Sequence, residues 1–142
     1  MKTIDSTDIN ILNILKADAR TSLKSLSEEV HLTTPALSAR IEKLEKAGYI
    51  NGYHADVNLE KLGYMIKAFV FISVDPDDQR RFYDFIMKKQ CVLECSHITG
   101  HYSMLMKVIF PSTADLDTFV GELQEFGKTE TQVVFSTVLE RY

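Results

Sequence analysis

The segment from Thr33 to Gly48 constrains this chain more than any other. Thr33-Thr34-Pro35 opens a helical pattern, Gly48 closes it, and Leu37, Ile41 and Leu44 form one apolar stripe between them. Proline keeps the residue before it out of the helical region and fits the first helical position, which puts the N-cap at Thr34. Glycine after Ala47 suits a left-handed stop. The expected helix runs from about Thr34 to Ala47. It must bury its stripe against neighbours, and two shorter helical patterns precede it. The first starts near Asp5 or Ser6, either of which can cap it, and carries Ile9, Leu12 and Leu15 on one stripe. The second covers about Leu23 to Val30, with Leu23, Leu26 and Val30 facing inward. Only His31 and Leu32 remain for the connection, so the turn into the third helix is tight.

Tyr49-Ile50-Asn51-Gly52-Tyr53 then reads as a tight Asn-Gly hairpin or wing. Beyond His54 the pattern changes to β-branched and aromatic runs alternating with helical stretches. A connecting segment, Ala55 to Tyr64, leads to a strong strand at Lys67–Val74. Asp75-Pro76-Asp77-Asp78 signals a helix start, and Phe82, Phe85, Ile86 and Met87 supply that helix's apolar face. Strands are expected at Val92–Thr99 and Met104–Phe110, joined by Gly100-His101-Tyr102-Ser103. Pro111-Ser112 opens a helix that buries Leu116, Phe119, Val120 and Leu123, and a last strand covers about Thr131 to Leu139. The order β-α-β-β-α-β folds into a four-stranded antiparallel sheet with both helices on one face. The fold class is therefore α+β. A winged helix-turn-helix domain (1–54) is joined by a linker (55–64) to a ferredoxin-like domain (65–142).

Three short helices with a tight turn between the second and third place the third in a DNA major groove, braced by the second. With Leu37, Ile41 and Leu44 inward, Thr33, Thr34, Ala36, Ser38, Arg40 and Lys43 lie on or beside the outer surface. Arg40 pairs with guanine or phosphate, Thr and Ser contact several bases, and Ala36 meets a thymine methyl. Arg20, Ser22 and Lys24 surround the start of the second helix and suit phosphate contacts that position the protein without reading sequence. The net charge of −4 leaves DNA binding open. Residues 1–54 hold seven basic and seven acidic groups, so the acidic excess falls wholly in the second half.

The set Asp5…Asp8-Ile9-x-Ile11-Leu12…Ala19-Arg20, Leu26-Ser27…Val30-x-Leu32-Thr33 and Arg40-Ile41-x-x-Leu44-Glu45…Gly48-Tyr49-Ile50 resembles the Lrp/AsnC (feast/famine) transcription regulators, and the likeness extends over the whole chain. The resemblance implies a dimer built mainly from C-terminal sheets, assembled further into tetramers or octamers that wrap DNA. It also implies an amino-acid effector bound in the C-terminal domain at or near subunit contacts. The family commonly carries Gly-Asp-Tyr/Phe-Asp at the second hairpin, where acidic groups help hold the effector's ammonium. Gly100, His101, Tyr102 and Ser103 occupy those positions here, so both carboxylates are gone and an ammonium loses its charge-assisted partners. Either the effector differs, another residue supplies the charge, or no effector binds.

No apolar stretch approaches the roughly 18 residues of a membrane span. The N-terminus lacks the apolar run of a signal peptide, which points to the cytoplasm. Cys91 and Cys95 have no second pair at zinc-like spacing and read as ordinary buried thiols, so no metal site and no cofactor are expected. No Ser-His-Asp pattern or phosphate loop supports an enzyme. The function expected is a sequence-specific DNA-binding transcription regulator responsive to an amino acid or other small molecule. An architectural DNA-wrapping protein with weak sequence preference and no effector is the alternative. A third class is a small-molecule sensor whose helical half makes only protein contacts.

Overall fold

A computed structural model describes residues 4–140. The chain divides after Asp56 into two compact units. The first is all-helical: α1 (Ser6–Ala17), α2 (Leu23–Glu29) and α3 (Thr34–Lys46). Asp5 caps α1 in a reciprocal capping box, its carboxylate accepting the Asp8 N–H while the Asp8 carboxylate accepts the Asp5 N–H. Ile11, Leu26, Val30, Leu37 and Leu44 make the core, with Leu12, Leu15 and Ile41 packed against it. Leu37, Ile41 and Leu44 thus face inward as their spacing requires. Ile9 and Leu23 do not, and both are nearly half exposed. The stripe of α1 runs instead through Asp8 and Ile11. Its apolar positions are so dense that spacing alone did not choose between them.

His31 takes a left-handed conformation, φ 55°. That single reversal turns the chain from α2 into α3, and histidine is among the residues that tolerate it. The cap of α3 is Thr33, one residue earlier than proline geometry suggested, and its hydroxyl accepts the Ala36 N–H. Pro35 then sits at the second helical position, where its missing N–H is equally harmless. Gly48 (φ 74°) ends the helix as a left-handed stop. The hairpin expected at Tyr49–Tyr53 does not form. Neither Asn51 nor Gly52 has the positive φ that a type I′ turn needs, and no strand precedes Ile66 among the described residues. The Tyr49 N–H bonds back to the Leu44 carbonyl, and the Tyr53 hydroxyl donates to Glu45.

The second unit contains β1 (Ile66–Val74), α4 (Gln79–Ile86), β2 (Val92–His97), β3 (Met104–Phe110), α5 (Thr113–Leu123) and β4 (Gly127–Val133). The strand order is β2-β3-β1-β4, and all three pairings are antiparallel. This is the ferredoxin-like arrangement. Ala68, Val70 and Ile72 of β1 and Met104, Met106 and Val108 of β3 project to one face. There they meet Phe82 and Ile86 of α4 and Leu116, Phe119 and Leu123 of α5. Met87, expected on that apolar face, is almost fully exposed because α4 ends at Ile86. The other face carries Lys67, Phe69, Phe71, Leu105 and Lys107. The segment after β4 runs past this face, where Glu140 pairs with both Lys67 and Lys107.

The last strand begins at Gly127, four residues before the expected start, and ends at Val133 instead of Leu139. Its sequence, Gly-Lys-Thr-Glu-Thr-Gln-Val, offers little apolar alternation to announce it. Gly127 has φ 155°, and a Cβ there would lie 1.9 Å from the Ser73 carbonyl oxygen on β1. Gly127→Ala is therefore expected to destabilise this unit by at least about 2 kcal/mol, lowering its Tm by roughly 8 °C or more, as read by thermal unfolding.

Candidate nucleic-acid interface

A helix that enters a major groove must be free of its own domain on one side. Successive residues are about 100° apart around the axis, so the side of α3 opposite Leu37, Ile41 and Leu44 is centred on Pro35, Ala39, Glu42, Lys43 and Lys46. All five are exposed. Thr33, Thr34 and Ala36 are exposed near the helix start, and Ser38 is half-buried on the flank. Ala39 belongs to this face although the sequence expectation did not include it, since it has no polar group to mark it and lies a turn beyond the helix start. Lys46 pairs with Glu42 at 2.5 Å, one turn earlier, and this contact holds the Glu42 carboxyl below its ordinary range. Lys43 has no acidic partner among the described residues, which leaves its charge available to an external phosphate.

Several hydroxyls named from sequence are already engaged. The Thr33 hydroxyl caps α3, that of Thr34 lies 3.5 Å from the Ser27 hydroxyl of α2, and that of Ser22 caps α2 by accepting the Ser25 N–H. Ser27 is buried and also donates to the Lys24 carbonyl, so the Thr34–Ser27 contact joins the two helices of the motif. Arg20 and Lys24 are exposed, with no acidic partner for either side chain among the described residues.

Arg40 is not on the outward face. It flanks the buried stripe on the α1 side, where its Nη1 donates to Asp5 Oδ2 and Asp8 Oδ1, both at 2.7 Å. Asp8 is 1% exposed. Its burial requires a cation, and Arg40 provides one. The Asp8 N–H and then Arg40 hold the Asp5 carboxyl below its ordinary value of 3.8. Asp5 in turn, and then Asp8, raise the guanidinium.

In the second unit, the segment Gly100–Ser103 links β2 to β3. Ser103 is bound to β1: its hydroxyl accepts the Val74 N–H at 3.0 Å and contacts the Ile72 carbonyl at 3.2 Å. His101 is exposed, with its ring edge-on to Tyr102 at 5.0 Å. The Tyr102 ring leans on Phe71, and its hydroxyl donates to Glu130 Oε2 at 3.0 Å. The amide of Gln132 donates to the other Glu130 oxygen at 2.9 Å. Gln132 first and Tyr102 second keep the Glu130 carboxyl below its ordinary range. A carboxylate missing from the loop's own sequence therefore stands beside it, supplied by β4. The strand boundary concealed this, since Glu130 precedes the expected start of the last strand.

Burial pushes both cysteine thiols up, so they are protonated at neutral pH. Among the described residues no three His, Cys, Asp or Glu side chains are grouped to hold a metal ion, and no helix is long and apolar enough to cross a membrane.

A family model for winged helix-turn-helix DNA-binding domains matches residues 4–51, and one for the Lrp/AsnC ligand binding domain matches residues 67–142. The chain belongs to the Lrp/AsnC family. Among Lrp/AsnC relatives, the transcriptional regulator LrpA of Bacillus subtilis is 33% identical, the match covering 92% of this chain and 97% of that one. The solved structure of LrpC from the same organism superposes with a TM-score of 0.93 at 28% identity, covering 98% and 99% of the two chains. A transcriptional regulator from Neisseria meningitidis, solved in complex with L-Met, gives the same TM-score at 26% identity, covering 98% and 94%. As a member of this family the chain is a DNA-binding transcription regulator.

The depressed Asp5 pKa has a consequence in acid. A carboxylate with a lowered folded-state pKa stabilises fully above its unfolded value and loses that contribution as pH falls through the folded value. The helical unit should lose stability as pH falls below the ordinary carboxylate range of about 4, and Asp5→Asn should make that loss shallower in melts followed by circular dichroism.

Proposed function

We propose that this chain is a sequence-specific regulator whose α3 reads the major groove, with residues 1–54 as the DNA-binding domain, 55–64 as linker and 65–142 as the effector and oligomerisation domain. The exposed, small-residue face of α3 carries this reading. Ala36 and Ala39 leave room for base edges to approach closely, Thr33, Thr34 and Ser38 border them, and Lys43 meets a phosphate. Arg20, Ser22 and Lys24 supply backbone contacts beside it. The protein works on double-stranded DNA in the cytoplasm as a homo-oligomer, a dimer assembling further into tetramers or octamers. Phe135 and Val138, fully exposed on the segment beyond β4, support self-association of the second unit.

The regulatory ligand in this reading is a zwitterionic amino acid at Gly100, His101 and Tyr102, with Glu130 holding the ammonium in place of the missing loop carboxylates. Glu130 is ionised and already oriented by two hydrogen bonds, which is what a charge-assisted contact requires. Ser103 shapes the turn through its bonds to β1 and leaves the ligand to its neighbours. The Neisseria relative's L-Met complex makes an apolar amino acid a sensible first probe. The architectural alternative, DNA wrapping without an effector, is separated by ligand response.

Two measurements test these readings. Lys43→Ala should weaken binding to a DNA fragment selected from random sequence and reduce the salt dependence of log K by about 0.9 per bound helix. An unchanged slope would remove Lys43 from the interface. In a thermal-shift screen of the twenty amino acids, at least one should raise the Tm of the wild type by several degrees, about 2.7 kcal/mol at a hundredfold excess over Kd, and Glu130→Gln should abolish the rise. A chain indifferent to all twenty favours the architectural reading.

A further inference from the structure

Sequence makes Arg40 an attractive base reader, but the molecule gives its guanidinium another task. Asp5 and Asp8, the two groups Nη1 meets, are the two halves of the α1 capping box, each also accepting the other's backbone N–H. One nitrogen on α3 thereby closes a network that ties the start of α1 to the middle of the recognition helix. We infer that Arg40 is a positioning residue, which sets the angle and depth at which α3 enters the groove through Asp5 and Asp8 and touches no base. The inference rests on the reading of α3 as the recognition helix.

Three observations carry it. Arg40 lies about 60° around the axis from the centre of the buried stripe, on the α1 flank, whereas Ala39 and Lys43 face outward. Asp8 is almost completely buried, and among the described residues its carboxylate accepts, apart from Arg40, from the Asp5 N–H alone. Nη1 holds the guanidinium on the α1 flank, away from the outward face; swinging it out to guanine would leave that buried carboxylate uncompensated, and breaking a buried ion pair costs more than one bidentate base contact returns. The remaining ties of α3 to α1 and α2 are apolar packing around Ile11, Leu26 and Leu37 and the hydroxyl contact of Thr34 with Ser27. Apolar packing resists separation of the helices but is tolerant of small rotations, whereas two short charged bonds are directional.

Fluorescence anisotropy on the full-length chain tests the inference. The probes are a DNA fragment selected from random sequence by the wild type and an unrelated duplex of equal length, titrated from about 50 to about 200 mM salt. The variants are Arg40→Met, Asp5→Asn and the two together. Asp5 is half exposed, so Asp5→Asn keeps a folded protein available even where Arg40→Met does not. Removing a negative charge near DNA ordinarily tightens binding. Positioning demands the opposite: Asp5→Asn should weaken the selected site by roughly three- to tenfold, and Arg40→Met by about tenfold or more. The double variant should be no weaker than Arg40→Met, and salt slopes and affinity for the unrelated duplex should be unchanged. A slope reduced by about 0.9 per bound α3 in Arg40→Met, or Asp5→Asn binding as tightly as the wild type, overturns the inference. Failure of the wild type to select any DNA overturns the reading of α3 itself and is told apart by the absence of a selected fragment.

Discussion

A carboxylate taken almost wholly out of water must be met by a cation or by several donors, and in the helical unit that demand shapes everything around it. Asp8 is buried on the same side of α1 as Ile11, within the core. Its charge is met by Arg40 from α3 and by the N–H of Asp5, so capping, ion pairing and helix docking are one arrangement. A buried pair of this kind adds little net stability over a well-packed apolar alternative. What it supplies is direction. Two bonds through one nitrogen fix how α3 lies against α1 far more narrowly than leucine packing does, and a helix that must fit a groove depends on that narrowness.

The sheet unit works by a division of faces. Alternation along β1 and β3 sends one set of side chains to α4 and α5 and leaves the other set looking outward. The outward set is amphipathic, with Phe69, Phe71 and Leu105 between Lys67 and Lys107, and Glu140 answers both lysines. Toward the β2–β3 turn the same face presents Tyr102, its ring tilted against Phe71 and its hydroxyl bonded to Glu130. An oriented phenol, an ionised carboxylate and an exposed imidazole thus share one corner of a largely preformed surface, a setting suited to a small polar ligand.

Much of this was legible in the residues. Thr-Thr-Pro and Gly48 bracketed α3 to within a residue, and the alternation Ala68, Val70, Ile72 announced a half-buried strand without ambiguity. Capping decided the α5 start at Ser112, which accepts the Asp115 N–H as an N-cap should. The failures have physical causes. Asn51-Gly52 carries hairpin chemistry, but a hairpin needs a partner strand, and the chain at Ile50 packs into the helical core instead. β4 is polar because it lies at a sheet edge, so its alternation is muted and its position is set by pairing with β1. The bonds of Arg40 to Asp5 and Asp8 were not foreseen because residue type outweighed geometry. Its angular place beside Leu44 and Leu37, together with two aspartates three apart at the head of α1, held the information.

The clamp also bears on how such a regulator acquires new targets. Arg40, Asp5 and Asp8 answer one another, so change at any of them disturbs the other two and the docking they enforce. The side chains of Ala36, Ala39 and Lys43 are exposed, and none makes a polar bond among the described residues. Replacing them alters what the helix meets outside and leaves its seat intact. On the proposed reading of α3, the helix is partitioned into a fixed mount and an editable alphabet, and a lineage of duplicated copies can explore new operators through the second without renegotiating the first.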